Sequence, residues 1–285
     1  MRDGPQRRRL ADGRLHLQHG PIDLIIEAFG PEAGVSRAYA AAWSRFEPLL
    51  DELCDELAIL RQAAGPGGTR PQGNVARRMF DAVLPFGATG FITPMAAVAG
   101  SVAEEILAAM VAAAELDRAY VNNGGDIALH LAPGRSFKIG LIDRPDRPSL
   151  FGRAEIRAED AIGGIATSGW RGRSFSLGIA DTVTILAATA AMADAAATWV
   201  ANAVDLPRHP SIKRQKASDF DPQSDLGERL VTVEVGTLVA EEIDSALAAG
   251  CETAELLRRD GYIVAAALHL EGETRIVSGP GRAPK

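Results

Sequence analysis

Apolar and polar residues alternate between residues 14 and 29, with Leu15 and Leu17 before Gly20-Pro21 and Ile22, Leu24 and Ile26 after it. A period of two interrupted by Gly-Pro predicts a hairpin of two strands, expected at a sheet edge. The period then lengthens. Ala42, Phe46, Leu49, Leu50, Leu53, Leu57 and Leu60 recur at helical spacing between residues 38 and 61. They predict a long helix that Pro48 kinks or splits and that Gly65-Pro66-Gly67-Gly68 ends. A second helix is predicted after Thr93-Pro94, with threonine as its cap and proline in its first turn, running to about residue 116.

Beyond that helix, strands are predicted at 119–122, 126–131, 137–142, 161–167 and 182–186, separated by Gly, Pro and Asp. An alanine-rich helix follows near 190–201, then a polar stretch at 207–228 that reads as a long surface loop. A strand at 230–235, a helix at 238–259 and a strand at 263–270 close the pattern. The alternation predicts an α+β protein of mixed sheets packed with helices, without clean βαβ units throughout. The length of 285 residues accommodates one large domain or two small ones. It is read as a single domain over 1–285, with a poorly ordered tail at 279–285.

Composition narrows the class. At 47% hydrophobic and 24% charged residues the chain matches a globular protein. No apolar stretch is expected to approach a membrane span; the nearest, at 179–204, is interrupted by Asp181 and Asp194. No membrane partner is expected. Arg2, Arg7, Arg8 and Arg9 are not followed by the apolar core of a signal peptide, so a cytoplasmic protein is expected. Cys54 and Cys251 stand far apart, which indicates neither a disulfide framework nor a zinc site. A net charge of −7 argues against a general nucleic-acid binder and means that a small anionic ligand needs local neutralisation. His16, His19, His130, His209 and His269 form no chelating spacing. His16 and His19 fall in one predicted strand, where an odd offset points them to opposite faces.

Three local signals carry chemistry. In the alanine-rich helix, Asp194 and Thr198 are four residues apart and so stand over one another, a pair of hard-oxygen side chains that suits Mg²⁺ or Ca²⁺. The surrounding alanines let this helix approach neighbouring backbone closely. The alternative is a polar pair satisfied by protein groups. At Asn122-Asn123-Gly124-Gly125-Asp126, paired glycines open backbone conformations closed to other residues, and their amides with the flanking polar side chains suit a phosphate or sugar. A hairpin turn explains the same residues. At Thr167-Ser168-Gly169 an apolar strand ends in two hydroxyls, which can hold phosphate or ribose or simply make a turn. Ser168 lacks a nucleophile's setting. Arg171 and Arg173 lie beside this motif, where the residues suit either a solvated loop or contact with an anion.

Taken in order, these motifs resemble the ApbE superfamily, founded on Mg²⁺-dependent FAD:protein FMN transferases. The resemblance covers about 93–204: the helix Ala96-Ala97-Val98-Ala99-Gly100-Ser101, then Asn123-Gly124-Gly125-Asp126, Thr167-Ser168-Gly169 and Ala193-Asp194 with Thr198. It implies that Asp194 and Thr198 are metal ligands, joined by a carbonyl near Val98 or Ala99. It also implies that Asn122 to Asp126 and Thr167 to Gly169 face a flavin dinucleotide, so that Mg²⁺ and FAD or FMN are the implied cofactors. Two departures mark a divergent branch. The transferases carry Gly-x-Ala-Lys-Gly where this chain has Ala97-Val98-Ala99-Gly100, and their His-His-Ile-Ile-Asp-Pro segment is absent, with Asp181 loosely in the aspartate's place. The resemblance therefore implies a nucleotide-like small-molecule partner with phosphoester transfer or hydrolysis, or a flavin binder without turnover; no catalytic residue is assigned. A third reading is a structural homo-oligomer with the alanine helix at its interface.

Overall fold

The computed structural model describes residues 4–142 and 150–279; the predicted tail lies almost wholly outside them. Strands β1 (Gln6–Arg9), β2 (Leu15–His19) and β3 (Ile22–Phe29) precede helices α1 (Glu32–Phe46), α2 (Leu49–Asp55), α3 (Leu57–Leu60) and α4 (Asn74–Gly87). A 3₁₀ turn at Pro94–Ala97 leads into α5 (Val98–Ala113). Next come β4 (Arg118–Asn123), β5 (Asp126–Leu131), β6 (Ser136–Ile142), β7 (Leu150–Arg157), β8 (Gly164–Ser168), β9 (Thr182–Ala187) and α6 (Ala190–Ala203). The order ends with β10 (Ile212–Lys216), α7 (Ala217–Phe220), β11 (Leu230–Val235), α8 (Ala240–Arg259), β12 (Ala265–Leu270) and β13 (Glu273–Ser278). This is an α+β fold of mixed sheets and helices, as the hydrophobic pattern predicts.

The chain divides into two compact units, the first comprising 1–137, 155–166 and 187–194 and the second 138–154, 167–186 and 195–285. In the first, the strands lie in the order β1-β2-β3-β4-β5-β8 and every pair is antiparallel. Burial alternates along β3, with Ile22, Leu24, Ile26 and Ala28 inside, and this apolar face is the sheet's contribution to the core. Helix α5 packs on β4 and β5 and on α1, while α4 packs against α5. In the second unit β9, β12 and β13 form antiparallel pairs, α8 packs on β12 and β13, and β10 pairs with β11.

Several expectations are corrected. The long first helix is split at Pro48 between α1 and α2, as predicted, and is three because a second break at Glu56 separates α2 from α3. The hairpin β2–β3 is not at the edge: β1 lies outside it. All four residues of β1 are exposed, so no alternation announces it. Thr93 makes no side-chain cap to the turn that follows. The polar stretch at 207–228 is not a loop throughout, since it contains β10 and α7. Strand β10 buries no residue fully, with Ile212 and Arg214 half-buried on one face, and is held by main-chain pairing and by ion pairs, among them Lys213 to Glu234 at 2.7 Å. One stretch does reach spanning length and apolarity, Pro94–Ala113, with a mean hydropathy of 1.6. Its α5 portion is the central packing element of the first unit.

Candidate functional site

Strand alternation dictates where the Asn-Asn-Gly-Gly-Asp side chains go. The buried positions of β4 are Ala119, Val121 and Asn123, set opposite Ala28, Ile26 and Leu24 of β3. Asn123 thus enters the core face as a polar group, and a buried amide needs partners. Its Nδ2 donates to the Ala99 carbonyl at 3.2 Å, in the first turn of α5. Asn122 faces the other way, and its Oδ1 accepts the Gly125 N–H at 2.8 Å. Gly124 and Gly125, at φ +67° and +119°, close the two-residue turn in a region that disfavours other residues. The motif is a hairpin turn, and it is also a tether to α5.

Small residues bring α6 to the same place. A Cβ on Gly100 would lie 2.2 Å from the Ala190 carbonyl oxygen, and one on Gly164 would lie 2.4 Å from the Ala190 nitrogen. Helix α5, strand β8 and the start of α6 therefore meet backbone to backbone, as the alanine run predicts. At this contact the Gly100 N–H donates to Asp194 Oδ2 at 2.9 Å. The Asp194 carboxyl is held well above the usual carboxylate range. Burial is the largest cause and the negative charge of Asp126 the second, while the amides of Gly100 and Ala99 pull the other way without offsetting them. Asp126 opens β5 as the register partner of Asn123. Hairpin and helices thus gather Asn123, Asp126, Asp194 and the Ala99-Gly100 backbone within the first unit.

The oxygens this arrangement offers a cation are hard ones. Asp194 takes the Gly100 and Ala99 amides, and the Ala99 carbonyl, which accepts from Asn123, has a second lone pair. Thr198 follows four residues along α6, half-buried and in the second unit. Among the described residues no three His, Cys, Asp or Glu side chains gather as a metal cluster. Within the first unit a cation would depend on backbone carbonyl oxygen as well as carboxylate. Sequence reasoning missed Glu104, whose Oε2 accepts the Ala191 N–H at 3.2 Å and so occupies one free donor of the first turn of α6. Arg78 holds Glu104 and Glu105, and Arg45 also holds Glu105. Two acids in an otherwise apolar helix were the available signal. An open cavity of about 550 Å³ lies alongside, lined by Arg77, Arg78, Asp81, Glu104, Glu105 and Thr189 among others.

The remaining motif residues belong to the second unit. Thr167 Oγ1 meets Thr184 Oγ1 at 3.0 Å, while Ser168 ends β8 and Gly169 follows it. A Cβ on Gly169 would lie 2.3 Å from the Asp181 carbonyl oxygen, which is why glycine stands there. Asp181 is buried and accepts from the Trp170 indole, Arg171 and the Glu271 backbone amide. Arg171 also pairs with Glu271 and lies over Trp170. Its guanidinium is thus engaged by carboxylates of the protein, where the sequence suits either a solvated loop or an external anion; Arg173 is exposed. His16 and His19 do point to opposite faces of β2, one bonded to Asp23 and the other buried.

An α+β chain carrying a glycine-bearing helix, an Asn-Gly-Gly-Asp hairpin and an Ala-Asp-x-x-x-Thr helix in this order is of the ApbE class. The chain belongs to the AbpE bacteria family, whose model it matches over residues 7–276, and the resemblance read from the motifs is borne out. It is 38% identical over 161 residues to a UPF0280 protein of Methanopyrus kandleri, covering 56% of this chain and 61% of the relative. It is 39% identical over 133 residues to a UPF0280 protein of Methanosarcina acetivorans, covering 46% and 49%. The matches thus span about half to three-fifths of these relatives' lengths. Among solved structures, the apo form of Pseudomonas stutzeri flavinyl transferase ApbE matches with a TM-score of 0.45 and 12% identity, covering 97% of this chain and 94% of that one.

Proposed function

We propose that the chain binds a flavin nucleotide, FAD or FMN, or a related phosphate-bearing molecule, together with a Mg²⁺ ion held by Asp194 and Thr198, and that it transfers or hydrolyses a phosphoester. The observation that carries this reading is the half-buried Asp194 carboxyl, seated on the Gly100 amide beside the charge of Asp126. Ionising such a group is unfavourable until a cation relieves it. Membership of the family supports the flavin side of the reading. When bound, the ion neutralises phosphate charge and stabilises a leaving phosphate. Within the chain, Asp194 gives up its proton on loading, Asn123 orients the Ala99 carbonyl, and the Gly124-Gly125 turn keeps the hairpin tip free of side chains. A second reading, binding without turnover, is favoured by Ala99 standing where the transferases carry lysine.

The test is a thermal-shift titration with FAD, FMN and ADP, each with and without Mg²⁺, on the native chain and on Asp194→Ala. Saturation at about 100 times Kd adds roughly 2.7 kcal/mol and raises Tm by about 5–10 °C. The expected flavin shift needs both Mg²⁺ and Asp194. A shift of equal size in Asp194→Ala sinks the metal assignment, and saturation without product separates the binder from the enzyme.

A further inference from the structure

Strand β1 is the outermost strand of the first unit's sheet, and it is a run of arginines. Arg7 and Arg9 are in register with Leu17 and Leu15, which are buried, so their side chains leave on the face covered by α1; Arg8, opposite His16, leaves on the other. On that face Arg7 lies over Trp43 at 5.1 Å and Arg9 over Tyr39 at 4.4 Å, and both rings belong to α1. Stacking engages the flat face of a guanidinium and leaves its edge donors for another partner. None of the three arginines forms an ion pair with a described residue. Within the same unit Arg14, Arg45, Arg70, Arg78 and Arg135 are paired with carboxylates, while Arg77 bonds to Asn74 and Arg118 to the Ser136 carbonyl.

These arginines line a concavity of about 440 Å³ with Ser36, Tyr39 and Leu15 among its walls, and no acidic side chain lines it. The larger cavity beside α6 is different, because Asp81, Glu104 and Glu105 answer its arginines. In a chain of net charge −7, the two unanswered guanidiniums of Arg7 and Arg9 on one face of β1 make a local site for an anion.

We infer that this hollow binds a ligand carrying two or more adjacent phosphates. Guanidinium edges match phosphate oxygens two at a time. Alternate residues of a strand are about 6.6–6.8 Å apart, a spacing at which two forks straddle neighbouring phosphates rather than converge on one. Stacking on Trp43 and Tyr39 holds the forks in place beforehand, so less side-chain entropy is lost on binding. The phosphates can belong to a free polyphosphate or to the tail of a nucleotide. This site is separate from the Asp194 corner and does not depend on the function proposed for it.

Isothermal titration in EDTA, which keeps metal chemistry out, tests the inference with tripolyphosphate, ATP, orthophosphate and a glutamate-rich peptide. Tripolyphosphate is expected to bind at least ~10-fold more tightly than orthophosphate, and Arg7→Gln or Arg9→Gln to weaken it ~10-fold or more. Arg9→Lys keeps the charge but loses the fork, so it should fall between. Asp194→Ala should bind as the native chain does. ATP matching or exceeding tripolyphosphate assigns the site to a nucleotide tail, and weaker ATP assigns it to free polyphosphate. Should an arginine variant fail to fold, Arg Nε–Hε resonances of the unaltered protein must still move at Arg7 and Arg9 as tripolyphosphate is added. The inference is overturned by no tripolyphosphate binding, by full binding to Arg7→Gln/Arg9→Gln, by loss of binding in Asp194→Ala, or by tighter binding of the peptide.

Discussion

Gly100→Ala puts the closest backbone contact of the candidate site under load. The added Cβ would lie 2.2 Å from the Ala190 carbonyl oxygen and 2.6 Å from its carbon, both backbone atoms that cannot swing away. Restoring an ordinary contact requires α5 and the first turn of α6 to part by roughly 1 Å. Overpacking of this kind costs about 1–3 kcal/mol. The same displacement stretches the 2.9 Å bond from the Gly100 N–H to Asp194, and losing a bond to this carboxyl, held protonated without a cation, costs about 0.5–1.5 kcal/mol more. Alanine's better helix propensity returns about 1 kcal/mol. The net loss is about 0.5–3.5 kcal/mol, or a fall in Tm of about 1–14 °C. Circular dichroism through thermal unfolding reads it, with Gly4→Ala as the control, since nothing lies within 4 Å of a Cβ there. The Mg²⁺-dependent shift should vanish with it, because Asp194 rides on the displaced turn. A Gly100→Ala chain as stable as the control, with its response to Mg²⁺ intact, refutes the close approach as the device that positions Asp194.

Two further predictions follow from the charged groups. In EDTA the native state holds a proton on Asp194 more tightly than the unfolded chain does, because its carboxyl is raised above the ordinary 3.8. This contribution is complete below that value and is lost as pH rises through the folded one. Asp194→Asn should therefore flatten a decline in denaturation midpoint with rising pH, and an unchanged slope would exclude Asp194 as its source. Glu105 is the opposite case: burial works to raise its carboxyl, but bonds from Arg45 and Arg78 outweigh it and hold it below the ordinary 4.5. Its contribution is present above that value and lost as pH falls through the lower folded one. Glu105→Gln should cost about 1.5–3 kcal/mol at neutral pH, measured by urea unfolding, and less at a pH well below the ordinary 4.5. An equal cost at both would show that the ion pairs are not the source.

Hydrophobic periodicity by itself determined the elements whose faces differ. The β2–β3 hairpin is legible because it must turn an apolar side inward, while β5, with neighbouring Ala128 and Leu129 both buried, shows as a short run bounded by Gly and Pro, and α5 by the proline of the turn that opens it. Motif order determined the family, since Gly100, Asn123 to Asp126 and Asp194 with Thr198 keep their sequence wherever the chain folds. Strands β1 and β10 were not legible: the first is exposed throughout and the second buries no residue fully, and what makes them strands is main-chain pairing with a partner, which leaves no trace in side-chain pattern. Helix α4 did carry a helical stripe, Val75, Met79, Val83 and Phe86, that went unread between glycine- and proline-rich flanks.

The state of the candidate site was decided by tertiary structure alone. Asp194 could be read as a carboxylate wanting a partner. That its partners are the amide of Gly100 and the field of Asp126, 94 and 68 positions away, follows from two helices meeting where Gly100 and Ala190 lack bulk. Arg171 was directed to Asp181 and Glu271 by the same kind of long-range approach. A residue's period is set by its own neighbours in the chain. Its electrostatic partner is set by which distant backbones can come close, and that depends on packing no local pattern encodes.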